Sequence, residues 1–223
     1  MHFPFISFPV HHTLNSIKST PHLTLTISGY HLGEHGEWEK KSNFDNVVRV
    51  PLVIKPQTSS STSSGAVVEK TYLDLVDIFP TLSSLAGLPP PPDAAYLDGT
   101  DLSALFKDPT LALKGEAFHQ YPACGMRNGI NETRGECNNT PKTQFDYMGY
   151  SVRNSLWRYT LWLPWNGTAL SAAWDSAEYE EELYSHGGDI SMDFDAYENV
   201  NLASSNPGVS KQLRARLRNF FHG

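Results

Sequence analysis

His31-Leu-Gly-Glu34-His35-Gly-Glu37-Trp38-Glu39-Lys40-Lys41 is the densest polar stretch of the chain, with two His, three carboxylates and two Lys within eleven residues. Gly33 and Gly36 interrupt it. Glycine reaches backbone conformations that other residues resist, so the two predict a shaped loop rather than a regular helix or strand. Polar loops on a scaffold are common sites of binding. Three chemistries compete on these residues. His31 and His35 at four-residue spacing around Glu34 have the ingredients of a helical zinc pair, but the Glu adjoins the second His and the glycines oppose the helix that would align the ligands. His35 beside a Glu offers general acid-base chemistry, since imidazole titrates near neutrality, although hydrogen bonding within a loop is the commoner use of such neighbours. The third is anion recognition, in which Lys40 supplies a point charge on a flexible stem and the glycine-flanked backbone donates N–H groups to sulfate or phosphate oxygens.

Downstream, the apolar run 47–54 is broken by Arg49 and Pro51, which predicts a strand at or near a sheet edge. Leu75, Ile78, Phe79, Leu82, Leu85 and Ala86 recur at three- and four-residue spacing until Gly87, the pattern of an amphipathic helix with Pro80 in its first turn and Asp77 as N-cap. Tyr150, Val152, Trp157, Tyr159 and Leu161 alternate with Ser151, Arg153, Arg158 and Thr160 around a turn near Asn154-Ser155, which predicts a β-hairpin. Residues 182–184 could add a strand. Residues 209–221 read as a basic helix with Lys211, Arg214, Arg216 and Arg218 toward solvent and Leu213, Leu217 and Phe220 inward. The acidic run 175–182 reads as another solvated face. The Ser/Thr-rich stretch 58–65 and the prolines 89–92 are surface connections, and neither divides the chain into parts large enough to fold separately.

Across the 223 residues, 17 Lys+Arg against 24 Asp+Glu give a formal charge of −7. No apolar run approaches 18 residues, which excludes a membrane-spanning helix. No basic block could face a nucleic-acid duplex, and the negative balance opposes one. The two cysteines, Cys124 and Cys137, are too far apart for a CxxC pair and lack the companions of a zinc site, so they predict a local disulfide. Asn131-Glu-Thr133, Asn138-Asn-Thr140 and Asn166-Gly-Thr168 are N-glycosylation sequons, and with the cysteines they point to the secretory pathway. The first 28 residues hold four of the nine His, three Pro and no acidic residue, and read as an atypical, disordered leader. Its apolar part is broken by Pro4 and Pro9 and makes a poor signal peptide.

Beyond these readings, Gly29-Tyr-His-Leu-Gly-Glu-His-Gly-Glu-Trp-Glu-Lys40, Ser42-Asn-Phe-Asp45 and Arg49-Val-Pro-Leu-Val53 resemble the late part of the sulfatase family, its iduronate-2-sulfatase type most of all. Asp74-Leu-Val-Asp-Ile-Phe-Pro-Thr-Leu-Ser-Ser-Leu-Ala-Gly-Leu88, Leu97-Asp-Gly-Thr-Asp-Leu102, Gln120-Tyr-Pro122, Met148-Gly-Tyr-Ser-Val-Arg153, Trp157-Arg-Tyr-Thr-Leu-Trp162 and Glu182-Leu-Tyr184 continue the resemblance in order, over 29–222. It implies an α/β fold, the C-terminal portion of an alkaline-phosphatase-like sulfatase, with a small antiparallel sheet and a terminal helix. It further implies sulfate-ester hydrolysis on a glycosaminoglycan or related sulfated sugar, in a lysosomal or secreted protein. Lys40 matches the family lysine that contacts sulfate, and Tyr30, His31, Glu34 and His35 match the loop at the pocket mouth. Cys124 and Cys137 match a late disulfide pair of the family.

The departures from the family are as informative. Its nucleophile is a formylglycine made from Cys-x-Pro-(Ser/Ala)-Arg, whereas Cys124 begins Cys-Gly-Met-Arg and Cys137 begins Cys-Asn-Asn-Thr. Its calcium ligands include an Asp-His pair directly before the Gly matching Gly29, where this chain has Ile27-Ser28. The expectation is therefore a chain without catalytic residues or metal ligands of its own, lacking a large N-terminal catalytic domain and inactive alone. The rival expectation is a non-catalytic module that holds a sulfated glycan through Lys40 without cutting it.

Overall fold

A computed structural model of the chain describes residues 22–25, 29–55, 67–89, 97–124, 137–187 and 198–223. In chain order its elements are β1 His22–Leu25, β2 His31–Leu32, β3 Trp38–Glu39, α1 Asp45–Val48, β4 Leu52–Lys55, α2 Ile78–Leu85, β5 Ala117–Ala123, β6 Tyr147–Arg153, β7 Trp157–Asn166, β8 Ser171–Ala172, β9 Glu180–Ser185 and α3 Pro207–Phe221. They fall into two units, one of residues 1–27 and 50–115 and one of 28–49 and 116–223. No helix among the described residues is long and apolar enough to cross a membrane.

In the first unit β1, from within the stretch read as a leader, pairs antiparallel with β4 in the register His22↔Lys55 to Leu25↔Leu52. The strand expected over 47–54 begins only at Leu52. Residues 45–48 instead make the helical turn α1, closed by the Arg49 N–H donating to the Asp45 carbonyl (2.9 Å), and Pro51, which has no N–H to give a ladder, separates turn from strand. The helix predicted from the 75–86 periodicity forms, with Pro80 in its first turn and Gly87 at φ 66° ending it. Asp77 stands at its N-cap position as expected, although its side chain makes no cap bond to α2. Asp74 caps a short 3-10 segment, Leu75–Asp77, in a reciprocal capping box with Asp77, because the Asp77 carboxylate is drawn inward. There it accepts the N–H groups of Asp74 (2.8 Å) and Thr100 (2.7 Å) and, like Asp74, the ammonium of Lys114 (2.7 Å). Residue 99 must be Gly, since a Cβ there would fall 2.1 Å from the Val76 carbonyl oxygen.

The second unit is an antiparallel sheet in the order β5-β6-β7, with β9 also paired to β7 and the short β8 at the far end of β7. The predicted hairpin is β6 and β7, with Tyr150 opposite Leu161, and the predicted strand over 182–184 is part of β9. Period-two alternation sends Met148, Tyr150, Val152, Tyr159, Leu161 and Leu163 to one face, where Leu213 and Leu217 of α3 complete the core. Phe221, not Phe220, is the aromatic packed into it. Phe220 stays 56% exposed and stacks on Phe118 with ring centres 3.9 Å apart.

The opposite face is polar yet buried, which the alternation alone does not reveal: Ser151, Arg153, Arg158 and Thr160 are all shielded from solvent. Residues 29–49 cover it. The Asn43 side-chain amide donates to the Gly149 carbonyl (3.4 Å), and a Cβ at Gly149 would meet that amide nitrogen at 2.6 Å. The basic helix and the acidic run, both expected to be solvated, meet each other instead: Arg214 pairs with Glu181 (2.6 Å) and lies over the Tyr179 ring, and Arg218 pairs with Asp175 (2.7 Å). Arg216 pairs with Glu116 (2.6 Å). The predicted local disulfide joins Cys124, just after β5, to Cys137. The expected mixed α/β architecture, with its antiparallel sheet and terminal helix, is the one observed.

Candidate functional site

The glycine-bearing stretch, expected to be a shaped loop without regular strands, folds as a small hairpin. Its strands β2 and β3 pair His31 with Glu39 and Leu32 with Trp38. Gly33 (φ 122°) and Gly36 (φ 71°) take conformations closed to most side chains, and the turn is tied by Gly33 N–H to the Glu37 carbonyl (3.1 Å) and Gly36 N–H to the Gly33 carbonyl (3.0 Å). Three residues with side chains share the left-handed region: His35 at φ 56°, Glu39 at 67° and Lys41 at 124°. Such conformations cost about 1 kcal/mol or more each and persist only where neighbours impose them. His35 is held by its ring lying parallel to Phe44, 4.0 Å away. The Glu34 carboxylate accepts the Leu32 N–H (2.6 Å), a bond that holds its pKa below the ordinary value.

Alternation along β2 separates the predicted site residues. Tyr30 is half exposed (50%) and Leu32 is exposed on the outer side, whereas His31 is 1% exposed and points inward. The His31 ring accepts from the Asn46 amide at Nδ1 (2.7 Å) and contacts the Ser42 hydroxyl at Nε2 (2.8 Å). Burial, aided by nearby His35, lowers its pKa, so His31 is a neutral strut of the hairpin. With both ring nitrogens engaged, it has no lone pair left for the zinc reading. Lys40 sits in the turn after β3 and is exposed, and its ammonium makes no ion pair or hydrogen bond to any described residue. Lys41 is different, pairing with Glu39 (3.1 Å). Of the sequons, Asn166 is exposed at the end of β7, while Asn131 and the side chain of Asn138 lie outside the described residues.

Beneath the hairpin lies an ionic network that the sequence pattern does not announce. Arg158, on the buried polar face of β7, donates through Nη2 to Asp45, and its Nε lies 2.7 Å from Glu198 as an ion pair. Arg153 Nε lies 3.3 Å from Asp45, and His186 Nε2 lies 2.9 Å from Glu198, whose other oxygen accepts the Asp45 backbone N–H (2.7 Å). All five residues are buried. Burial pushes the Asp45 carboxyl up, but Arg158 and then Arg153 pull it down to about 2. His119 is pushed down to about 4 by burial and by the positive charge of Arg158. The one signal in the sequence was a pair of arginines at the alternate positions of two strands otherwise rich in core residues.

Asp45, His186 and Glu198 place three ligand-capable atoms within 4.8 Å of one another. They do not fit the calcium of the sulfatase family. Calcium takes six to eight oxygens, and this group has two carboxylates, each already bound by a guanidinium that a divalent ion would have to displace. Arg158 holds the position of the cation.

No family-wide sequence profile matches the chain. Individual relatives do. It is 28% identical to mouse iduronate 2-sulfatase over 83% of this chain and 39% of that protein, and 30% identical to the human enzyme over 76% of this chain and 36% of that protein. Mouse arylsulfatase K is 26% identical over 93% of this chain and 31% of its own length. The chain thus spans less than two fifths of each of these relatives. Similarity of this extent to three sulfatases, on top of the ordered motifs from Gly29 to Tyr184, makes the chain a relative of the sulfatase family.

Proposed function

We propose that the chain serves a sulfatase of iduronate-2-sulfatase type, hydrolysing sulfate esters of glycosaminoglycans or similar sulfated sugars in the lysosome or outside the cell, and that its own share of the task is to present the sulfate-recognising hairpin. The carrying observation is the pairing of an exposed Lys40 ammonium, unengaged among the described residues, with a hairpin base in which His31 and Glu34 are tied to the fold. A cation of this kind gains most when the anion arrives in a site shut off from water. Tyr30 and His35, on the same hairpin, contact the sugar, and His31 positions them from below.

The attacking nucleophile, and the calcium that supports it in the family, must be supplied by other polypeptide, since the sequence of this chain has no Cys-x-Pro-(Ser/Ala)-Arg. The hairpin binds and orients. Contacts that stabilise a transition state accelerate nothing unless some group initiates the reaction, so this chain alone has no turnover.

Calorimetric titration of the purified chain with a sulfated disaccharide tests the reading, together with an aryl sulfate assay in calcium. A charge-assisted contact contributes about 1.5–3 kcal/mol, so Lys40→Ala should weaken binding roughly tenfold or more while leaving the melting temperature unchanged. Equal binding by parent and Lys40→Ala, or clear turnover by the isolated chain, would reject the assignment.

A further inference from the structure

Of the three sequons, Asn166-Gly-Thr168 is the one whose asparagine side chain lies among the described residues. Asn166 is the last residue of β7, at the mouth of the tight turn into β8, where it pairs with Ser171. Its side-chain oxygen accepts two backbone N–H groups, from Thr168 (3.0 Å) and Ala169 (3.0 Å). Both partners are donors, so this fixes which end of the amide faces the backbone. The amide nitrogen therefore faces away from the turn, exposed, with no hydrogen bond to any described residue. Thr168 is exposed as well. The residue between them is held to glycine, because a Cβ at position 167 would lie 1.9 Å from the Thr143 carbonyl oxygen. Trp165 locks the same corner by donating its indole N–H to the Lys142 carbonyl (2.7 Å).

An N-linked glycan is attached before folding finishes and is tolerated only where the folded chain leaves its asparagine in solvent. Asn166 meets that condition without any rearrangement. A second and independent observation places the chain where the donor is available: the Cys124–Cys137 disulfide belongs to an oxidising compartment, and lipid-linked oligosaccharide is used in the same one.

We propose that Asn166 carries an N-linked oligosaccharide. In the transfer, Asn166 Nδ2 bonds to the anomeric carbon of a dolichyl-pyrophosphate-linked oligosaccharide. The anomeric C–O bond breaks, dolichyl pyrophosphate leaves with the bonding pair, and one amide proton passes to a base of the transferase. The glycan stands off the end of the β7–β8 turn.

The test is secretion of the full chain, behind a heterologous leader, from eukaryotic cells, followed by peptide N-glycosidase digestion in ¹⁸O-water and peptide mapping. The expected result is ¹⁸O-labelled aspartate at position 166. Thr168→Ala should lose one glycan on a denaturing gel and Thr168→Ser should keep it. Both leave the bonds accepted by the Asn166 oxygen in place, so they remain informative even where Asn166→Gln is not secreted. A secreted, disulfide-bonded chain with an unmodified Asn166 would overturn the proposal, whether or not the other sequons are occupied.

Discussion

Replacing Arg158 by Met removes the cation that joins two buried carboxylates while keeping a side chain of similar reach. In the parent chain Arg158 donates to Asp45 through Nη2 and to the Ser151 hydroxyl through Nη1 (3.1 Å), and its Nε forms an ion pair with Glu198 at 2.7 Å. Without it Asp45 retains Arg153 at 3.3 Å and Glu198 retains His186 at 2.9 Å, so neither carboxylate is wholly abandoned. Breaking a buried ion pair by deleting one partner costs about 3–5 kcal/mol, and with those residual partners about 3–4 kcal/mol is the expected loss near pH 7. That is a large share of the 5–15 kcal/mol typical of a domain. The loss has a pH signature. In the parent, Asp45 titrates near 2 against an ordinary 3.8, so its contribution is present above about 3.8 and lost as the pH falls toward 2. In Arg158→Met the Asp45 carboxyl loses the charge that lowers it most and takes up its proton at higher pH, which relieves the buried charge, so the gap between variant and parent narrows on acidification. Urea unfolding followed through the fluorescence of Trp157 and Trp162 on β7 measures both quantities. A loss below about 1 kcal/mol, or one that is the same near pH 7 and near pH 4.5, would refute the account. The triple variant Asp45→Asn, Arg158→Met, Glu198→Gln should recover most of the deficit, because it removes the charges together.

In the first unit, Lys114→Met strips Asp77 and Asp74 of their shared cation. Burial alone would lower the Lys114 pKa, but the bonds to the two aspartates raise it, and their loss should cost about 3 kcal/mol, read as faster hydrogen exchange across α2; unchanged exchange would show the pair to be idle. His119 gives the opposite pH dependence to a salt-bridged histidine. Its folded pKa of about 4 lies below the ordinary 6.5, so the stability it gives by staying neutral is complete above about 6.5 and is lost as the pH falls toward 4. The parent should lose about 2 kcal/mol from this source between pH 7 and pH 5, and His119→Gln should flatten that part of the profile; parallel profiles would show that His119 is not the group responsible.

The elements legible in the sequence were those whose apolar residues keep a strict period. Tyr150 to Leu161 gave the β6–β7 hairpin, and Leu213 and Leu217 gave α3, because a face that must leave water imposes its spacing on the chain. Periodicity says which residues share a face and nothing about what covers it. Ser151, Arg158 and Thr160 appear in the sequence only as the polar set of the alternation, yet residues 29–49 lie over them, and Asp45 reaches Arg158 across 113 positions of sequence. The same limit applies at the candidate site. Gly33 and Gly36 announced a shaped turn, but the left-handed backbone of His35, Glu39 and Lys41 is imposed by packing such as the His35–Phe44 stack. Tyr30, His31 and Lys40 stood together in the motif, and only the pleat of β2 shows that His31 faces inward.

The ionic network and the hairpin form one mechanical system. A hairpin of two-residue strands with three side-chain-bearing residues in left-handed conformations does not hold its shape by itself. The adjoining segment does the holding: the Asn43 amide on the Gly149 carbonyl, the Asp45 carboxylate on Arg158, and the Asp45 N–H on Glu198. A lysine on a flexible stem loses much of its value for an anion if its base also moves, because binding must then order both. Arg158, which is buried, should therefore influence the affinity for a sulfated sugar through the hairpin. The two substitutions are distinguishable by what else changes. Lys40→Ala weakens binding at constant stability, whereas Arg158→Met weakens binding together with the folding free energy and with protection of the amides over residues 31–48. Tight binding retained by a destabilised Arg158→Met chain would mean that the hairpin is anchored by its own contacts with Phe44 and Ser42, and that the network beneath it serves the sheet alone.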